Sequence, residues 1–454
     1  MLNNPHPLDN KIFLQNAKQK LSYNDVFLAG DALFNNDDKA LVLILCQKDI
    51  GTVTAYVSAI RHHKVPLLVD ANFHPEIIAS FIAKYCPEYI VTTSLVIEDT
   101  AYQSSVVTNH CTVYQRSRPV KVELHQELAL LIPTSGSTGD PKCVRLTALN
   151  IDSCTQSVCQ YLGFDSRRVA ISHLPIHYAY GLSVLHNCIY QRARFVLSDA
   201  TMLDKGFWHE VDKFQVTDIS GVPFMMKMLR RMRLPKQHLS SLMCVTQAGG
   251  HLATRDSLYL SQLFSELGID YFTMYGQTEA SPRIAYLPPQ QAIAKAGSVG
   301  VPIACGQVAL DSSTGELIYH GDNVAMGYAN TYHDLALGDT FQGVLRTGDI
   351  ATLDDDGFIS IVGRSKRFIK INGISVNMDQ VERDLNQQFA SIAVIGNDDK
   401  LIIVGESIDC DLIKQLVCNK YQLNKVNVKV KKVDNILRHS SGKIDYVALA
   451  KEVS

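Results

Sequence analysis

The sequence carries no surplus of charge of either sign: 43 Lys and Arg stand against 45 Asp and Glu, and charged residues make up only 19% of the chain. A nucleic-acid binder or a protein held to an anionic membrane needs a basic face, so neither partner is expected. No apolar run approaches the roughly 20 residues of a membrane span, and none is expected. The 11 cysteines include no CxxC pair, and scattered, odd-numbered thiols read as reduced and mostly buried. Met1 to Gln19 has Pro, Asn, Asp and Lys where the apolar region of a signal peptide would lie, so the expected location is cytoplasmic. Two nucleotide signatures are missing as well. No Gly-x-Gly-x-x-Gly follows the first strand-like run, which removes the dinucleotide fingerprint. No glycine is followed, with four residues between, by a Gly-Lys-Ser/Thr, which removes a Walker A loop.

What is present is an alternation. Leu41 to Cys46 is a short, continuous apolar run suited to a strand buried on both faces. Thr52 to His62 then reads as a helix, Val65 to Asp70 as a strand, Pro75 to Tyr85 as a helix and Tyr89 to Thr92 as a strand. Apolar strands alternating with helices predict parallel pairing in an α/β layer. A chain of 454 residues has room for two or more domains.

The stretch around which the rest is organised follows the apolar run Leu128 to Ile132. It places Thr134, Ser135, Ser137 and Thr138 beside Gly136 and Gly139, and ends in Asp140, Pro141 and Lys142. Glycines that take positive φ let backbone N–H groups approach an anion, hydroxyls add donors, and lysine adds a mobile charge. The loop therefore reads as a phosphate cradle, against the plainer reading of a polar surface turn. Further on, Pro175 closes a strand-like run and Gly181 allows close approach, so His177, Tyr178 and Tyr180 between them can line a cavity.

The run from Thr134 to Lys142 resembles the phosphate loop of the adenylate-forming superfamily, which includes acyl-CoA synthetases, aryl-acid ligases and peptide-synthetase adenylation domains. The order of later segments carries the resemblance along essentially the whole chain: His173 to Ser183, Ala248-Gly249-Gly250-His251, Tyr275-Gly276-Gln277-Thr278-Glu279, Arg346-Thr347-Gly348-Asp349, Gly363-Arg364-Ser365-Lys366, and Ser441-Gly442-Lys443. The resemblance implies an α/β fold with a large N-terminal domain (residues 1–365) of stacked α/β layers plus a β-rich subdomain, and a small α+β C-terminal lid (residues 366–454). It implies ATP and Mg²⁺, with a small carboxylic acid activated to acyl-AMP and passed to CoA or to the phosphopantetheine of a carrier protein. Thr134 to Gly139 with Lys142 would hold phosphates, Tyr275 would stack on adenine, Thr278 would touch phosphate and Asp349 would accept the ribose hydroxyls. Gly249, Gly250, His251, Gly276 and Arg364 complete the nucleotide set. Glu279 would hold the metal, as a hard cation wants carboxylate oxygen. Lys443 would be the catalytic lysine, with Thr278 and Glu279 beside it.

His177, Tyr178, Tyr180, Gly181, Phe224, Ala248, Gly249 and Met274 would form the acid pocket. Lys366 would be the hinge, and Lys370 and Gly373 would line the thiol tunnel. The chain departs from the family at Cys143, where glycine is usual, and at Leu437, where proline is usual. Amino-acid-activating members carry an aspartate at the position best matched by Gly181. Without it a buried α-ammonium costs several kcal/mol, so an acid lacking an α-amino group is expected. The alternatives are a stand-alone amino-acid-activating enzyme and a catalytically silent nucleotide-binding homologue.

Overall fold

The computed structural model describes residues 10–34, 36–118, 120–134, 142–232, 234, 238–371, 374–397, 400–438 and 444–453, without the side chains of Lys366, Lys370 and Ser375. Two large sheets make the body. The first has eight strands. At its centre all six residues of Leu41–Cys46 are buried, and this strand pairs in parallel with Val65–Asp70 on one side and Tyr89–Thr92 on the other. The helix Ile50–Arg61 that crosses from it is started by Asp49, whose carboxylate accepts from the Thr52 N–H at 2.7 Å. That side chain satisfies one of the donors a helix N-terminus leaves open.

The expected parallel pairing holds at this centre and fails at the edges. Tyr102–Val107 and Thr112–Arg116 form an antiparallel hairpin, and Leu128–Thr134 pairs antiparallel with Lys142–Thr147. Short connections cannot carry a chain back to the same end of a sheet, so these neighbours must run in opposite directions. The Gly/Ser/Thr run therefore falls between two strands whose ends are a registered pair, Thr134 opposite Lys142, and the helix Ala148–Leu162 begins only after the second strand. Cys143, the departure from the family's glycine, lies fully buried in that strand, opposite Pro133 and Ala329. Leu437 is exposed.

The second sheet has nine strands. Six of them, Ile12–Gln15, Arg194–Leu197, Val169–Ser172, Asp218–Gly221, Cys244–Gln247 and Asp270–Tyr275, run parallel. The largest apolar cluster lies between the two sheets and is filled by Ile50–Arg61, Ala148–Leu162 and Ala179–Gln191. A four-stranded antiparallel sheet follows, ending in Val344–Leu353 and Ile359–Arg364. Past it, a hairpin, the helix Met378–Asn386 and a three-stranded sheet have cores of their own, drawn only from residues 369–453. The last strand of that sheet, Val428–Val433, starts directly after the turn Lys425–Asn427, which Asn424 caps.

Arg145 fixes the strand that carries the end of the loop. It is fully buried, and its guanidinium donates to the carbonyls of Tyr328 (3.1 Å), Met326 (3.0 Å), Gly338 (3.1 Å) and Leu337. An orphaned buried carbonyl costs about 1–3 kcal/mol, so Arg145→Met is expected to lose at least about 3 kcal/mol of stability by urea unfolding. A loss within about 0.5 kcal/mol would mean that water replaces the guanidinium.

Candidate functional site

In a parallel sheet the loops at the carboxyl ends of the strands converge, and ligands bind there. Ser172, Gly221, Gln247 and Tyr275 end four of these strands, and each leads directly into a segment singled out above.

The first is the turn at His173 to Tyr178, where the Tyr178 N–H donates to the Pro175 carbonyl at 3.2 Å and the helix Ala179–Gln191 begins. Gly181 sits in its first turn, so close to the carbonyls of Leu174 and Pro175 that a Cβ would overlap both. No side chain of any kind fits there. His177 reaches toward the other sheet, 3.6 Å from the carboxylate of Asp70 at the end of Val65–Asp70. Burial lowers the His177 pKa and Asp70 opposes that shift. Tyr178 lies against Gly249, whose φ is +88° and whose missing Cβ leaves room for the tyrosine hydroxyl. Tyr180 turns the other way, into the sheet, and its hydroxyl pairs with Thr246 Oγ1 at 2.7 Å. Ala248 and Met274 are buried beside these tyrosines. Gly250 packs on Pro223, while His251 is exposed and Phe224, on the helix Pro223–Arg231, is half exposed.

The Tyr275 to Glu279 segment leaves the sheet and folds back on it. Gly276 is packed so tightly against the Pro282 carbonyl that a Cβ would collide, and the Ile284 N–H donates to the Tyr275 carbonyl at 2.9 Å. The Tyr275 hydroxyl donates to Asp349 Oδ2 at 2.5 Å, Gln277 Nε2 donates to the same oxygen at 2.9 Å, and Arg364 Nε is 3.0 Å from Oδ1. Burial, then the Asp349 charge, raises the Tyr275 pKa well above its usual value, so the phenol keeps its proton. Asp349 is thus a nearly buried carboxylate held from three directions.

Thr278 and Glu279 lie in a single turn, Thr278–Ala280. Glu279 Oε1 accepts from the Tyr328 hydroxyl at 2.8 Å, and the Lys142 ammonium stands 3.3 Å over the Tyr328 ring. Tyr328 therefore joins the lysine of the glycine loop to the carboxylate of the Tyr-Gly-x-Thr-Glu turn. Its residue type and spacing in the sequence do not single it out, because its partners lie 49 residues away and farther. Asp70 escaped notice for the same reason. Among the described residues no three His, Cys, Asp or Glu side chains gather as a metal site. Glu279 alone, with Oε2 outside its bond to Tyr328, suits an ion that arrives on phosphate and takes one protein ligand.

Ser135, Gly136, Ser137, Thr138 and Gly139, together with Gly373 and Lys443, lie outside the described residues. Thr134 and Lys142 are described and flank the loop as a strand pair. Lys366 belongs to the turn Ser365–Arg367 and Lys370 to the strand Phe368–Ile371, by backbone alone. Around that turn the ion pairs divide. Arg364 holds Asp349 on the body, whereas Arg367 pairs with Asp379 and, at 3.2 Å, with Glu382 of the helix Met378–Asn386.

A family model described as AMP-binding enzyme matches residues 10–329. The 2-succinylbenzoate–CoA ligase of Bacillus subtilis (strain 168) is 30% identical over 302 residues, covering 63% of this chain and 60% of that protein. Its counterpart from Listeria innocua is 24% identical over 431 residues, covering 91% and 86%. The chain spans about 60% of the length of the first curated relatives it matches. The solved structure of o-succinylbenzoate CoA synthetase from Bacillus subtilis, in complex with its acyl-adenylate intermediate, shares the fold with a TM-score of 0.75 at 20% identity, over 96% of this chain and 94% of that one.

Proposed function

The chain belongs to the AMP-binding enzyme family, and on that premise we propose that it activates a carboxylic acid with ATP, releases pyrophosphate, and passes the acyl group from AMP to a thiol. The observation that carries this reading is the pair of carboxylates at the sheet's end. Asp349 is oriented by Tyr275, Gln277 and Arg364, and Glu279 is linked through Tyr328 to Lys142. Asp349 accepts the ribose hydroxyls, as a carboxylate with two acceptor oxygens can, and Tyr275, whose hydroxyl is already fixed, offers its ring to adenine. Lys142 and the loop from Thr134 to Gly139 hold the β- and γ-phosphates, Thr278 touches phosphate, and Arg364 keeps Asp349 aligned. Glu279 would hold the Mg²⁺ that comes with ATP, and the ion would supply neutralisation of charge that otherwise repels the incoming carboxylate. Lys443 bridges that carboxylate and the α-phosphate, so most of the rate comes from positioning and fixed charge.

The thiol is CoA in our reading, supported by the names of the curated relatives, with a carrier-protein phosphopantetheine as the competing acceptor. Competition between CoA and a phosphopantetheinylated carrier protein for the acyl-adenylate decides between them. Such chemistry draws on cytoplasmic ATP and CoA, and among the described residues no helix is long and apolar enough to cross a membrane. An amino-acid substrate is disfavoured by the packing at Gly181, where the carboxylate that would hold an α-ammonium has no space. Acid-dependent ATP–pyrophosphate exchange tests the reading: signal with amino acids alone would favour that alternative, and absence of signal with every acid would favour a silent nucleotide-binding homologue.

We read residues 1–365 as the adenylation domain and 366–454 as a lid that turns about Lys366, bringing the Lys370 to Gly373 turn to the site for the thiol step. The separate cores and the division of ion pairs at Arg364 and Arg367 support this. Lys366→Pro is expected to cut thioester formation by at least tenfold and leave pyrophosphate exchange within about twofold, since proline removes the φ freedom a hinge uses. Equal loss of both activities would sink the hinge.

A further inference from the structure

Tyr446 stands three residues after Lys443 and opens the helix Tyr446–Val453, which packs through Leu449 and Val453 on the three-stranded sheet. Between Lys443 and that helix the chain is tied to the residues that precede the lysine: the Asp445 N–H donates to the Leu437 carbonyl at 2.9 Å, and Ile444 bridges Arg438. The Tyr446 side chain points elsewhere, to the turn Ser365–Arg367. Its hydroxyl donates to Glu382 Oε1 at 2.8 Å, with Oε2 at 3.1 Å, and the Arg367 guanidinium lies 4.1 Å from the centre of its ring. Arg367 in turn pairs with Asp379 and Glu382 of the helix Met378–Asn386.

These groups satisfy one another. Glu382 Oε2 also accepts from the Val394 N–H at 2.9 Å and is 3.2 Å from Arg367, and both Arg367 and Glu382 are nearly buried. Burial raises the Glu382 pKa and Arg367 opposes that shift; burial, then the Glu382 charge, raises that of Tyr446, so the phenol stays a donor. A buried carboxylate that loses a donor is destabilised, and a guanidinium over an aromatic face adds attraction. The ring is therefore held from its edge and from its face. Tyr446 joins the residue directly after Lys366 to the residue that opens the helix just past Lys443.

We infer that Tyr446 is a positioning residue for the adenylation step: by tying the segment that carries Lys443 to the Arg367 turn at the hinge, it sets where the lysine stands when the lid faces the site. This inference rests on the acid-activation reading, which supplies the role of Lys443. A cation that must bridge two anions tolerates little displacement, since a misplacement of about 1 Å can slow a reaction by about 10²-fold. A lid that turns about Lys366 carries Arg367, Glu382 and Tyr446 together, so the tie survives the turn and returns the lysine to one place in each cycle. The thiol step, which does not use Lys443, does not need it.

The test is a double-substitution cycle on the full chain, with Y446F made in the wild type and in K443A and both half-reactions measured. Phenylalanine keeps the ring over Arg367 and deletes the donor to Glu382. In the wild type Y446F is expected to lower kcat for acid-dependent pyrophosphate exchange by about tenfold, with the KM for ATP and thioester formation from supplied acyl-adenylate each within about twofold. In K443A the same change should cost under about twofold, because a residue that acts through the lysine has nothing left to position. Y446L, which also takes the ring from Arg367, should lose more exchange than Y446F, and its thioester rate reports how much of the preparation is folded. Equal factors in the two backgrounds, equal loss in the two half-reactions, or no loss of exchange in Y446F overturns the inference and leaves acid activation standing. Unimpaired exchange in K443A overturns the role of the lysine, and this inference with it.

Discussion

Replacing Lys443 by alanine is expected to reduce acid-dependent pyrophosphate exchange by about 10²–10³-fold, the range seen when one fixed group is removed from a developing charge. The reason is electrostatic. The attacking carboxylate and the α-phosphate are both anionic, and their approach in a water-poor cleft raises the barrier unless a cation bridges them. Lys142 is engaged over the Tyr328 ring and is assigned, in the proposed mechanism, to the outer phosphates, so it does not substitute. The thiol step has a different demand. The thiolate attacks a carbonyl carbon and AMP leaves with the electron pair of the broken C–O bond, and no second anion must be brought to phosphorus. Thioester formation from acyl-adenylate supplied to the enzyme should therefore fall less than about threefold in Lys443→Ala, a change worth under about 0.7 kcal/mol. Equal loss in both half-reactions would mark the lysine as structural, and loss in neither would remove it from the mechanism.

How far the sequence reached follows from the range of the interactions involved. Leu41 to Cys46 and Pro75 to Tyr85 were legible because a buried strand and an amphipathic helix each leave a local pattern. The glycines at 181, 249 and 276 were legible as markers, and the packing now supplies their reasons: carbonyls behind Gly181, the Tyr178 hydroxyl against Gly249, and Pro282 behind Gly276. The edge hairpin Tyr102–Val107 with Thr112–Arg116 was not seen, since an edge strand reading YQSSVV is largely exposed and lacks an apolar run. Arg145, Asp70 and Tyr328 were missed for another reason. Each acquires its role from partners far away in the chain, 181 to 193 residues in the case of Arg145, and no spacing rule marks such a residue. Motif order named Tyr275, Gln277 and Asp349, which the fold brings together, whereas the link through Tyr328 emerged only from the packing.

Glu279→Gln is expected to lower pyrophosphate exchange by about 10²–10³-fold at ordinary Mg²⁺, with part of the loss recovered as Mg²⁺ is raised. Glutamine keeps an oxygen that can accept from Tyr328, so the turn at Thr278–Ala280 and its packing are retained. What it loses is charge at the metal, and a neutral amide is a poor ligand for a small hard cation that gives up its water reluctantly. The alternative role for Glu279 is to hold Tyr328, and through it to seat Lys142. Tyr328→Phe separates the two: it deletes the hydroxyl at 2.8 Å, keeps the ring beneath the Lys142 ammonium, and should slow exchange by under about tenfold, the worth of one ordinary hydrogen bond. If Tyr328→Phe and Glu279→Gln fall together and neither responds to Mg²⁺, the glutamate acts by positioning the tyrosine. If only Glu279→Gln falls deeply and its Mg²⁺ requirement rises, the carboxylate meets the metal. The second outcome is expected, because Glu279 presents Oε1 to Tyr328 and its Oε2 lies outside that bond, where a carboxylate oxygen suits a hard cation.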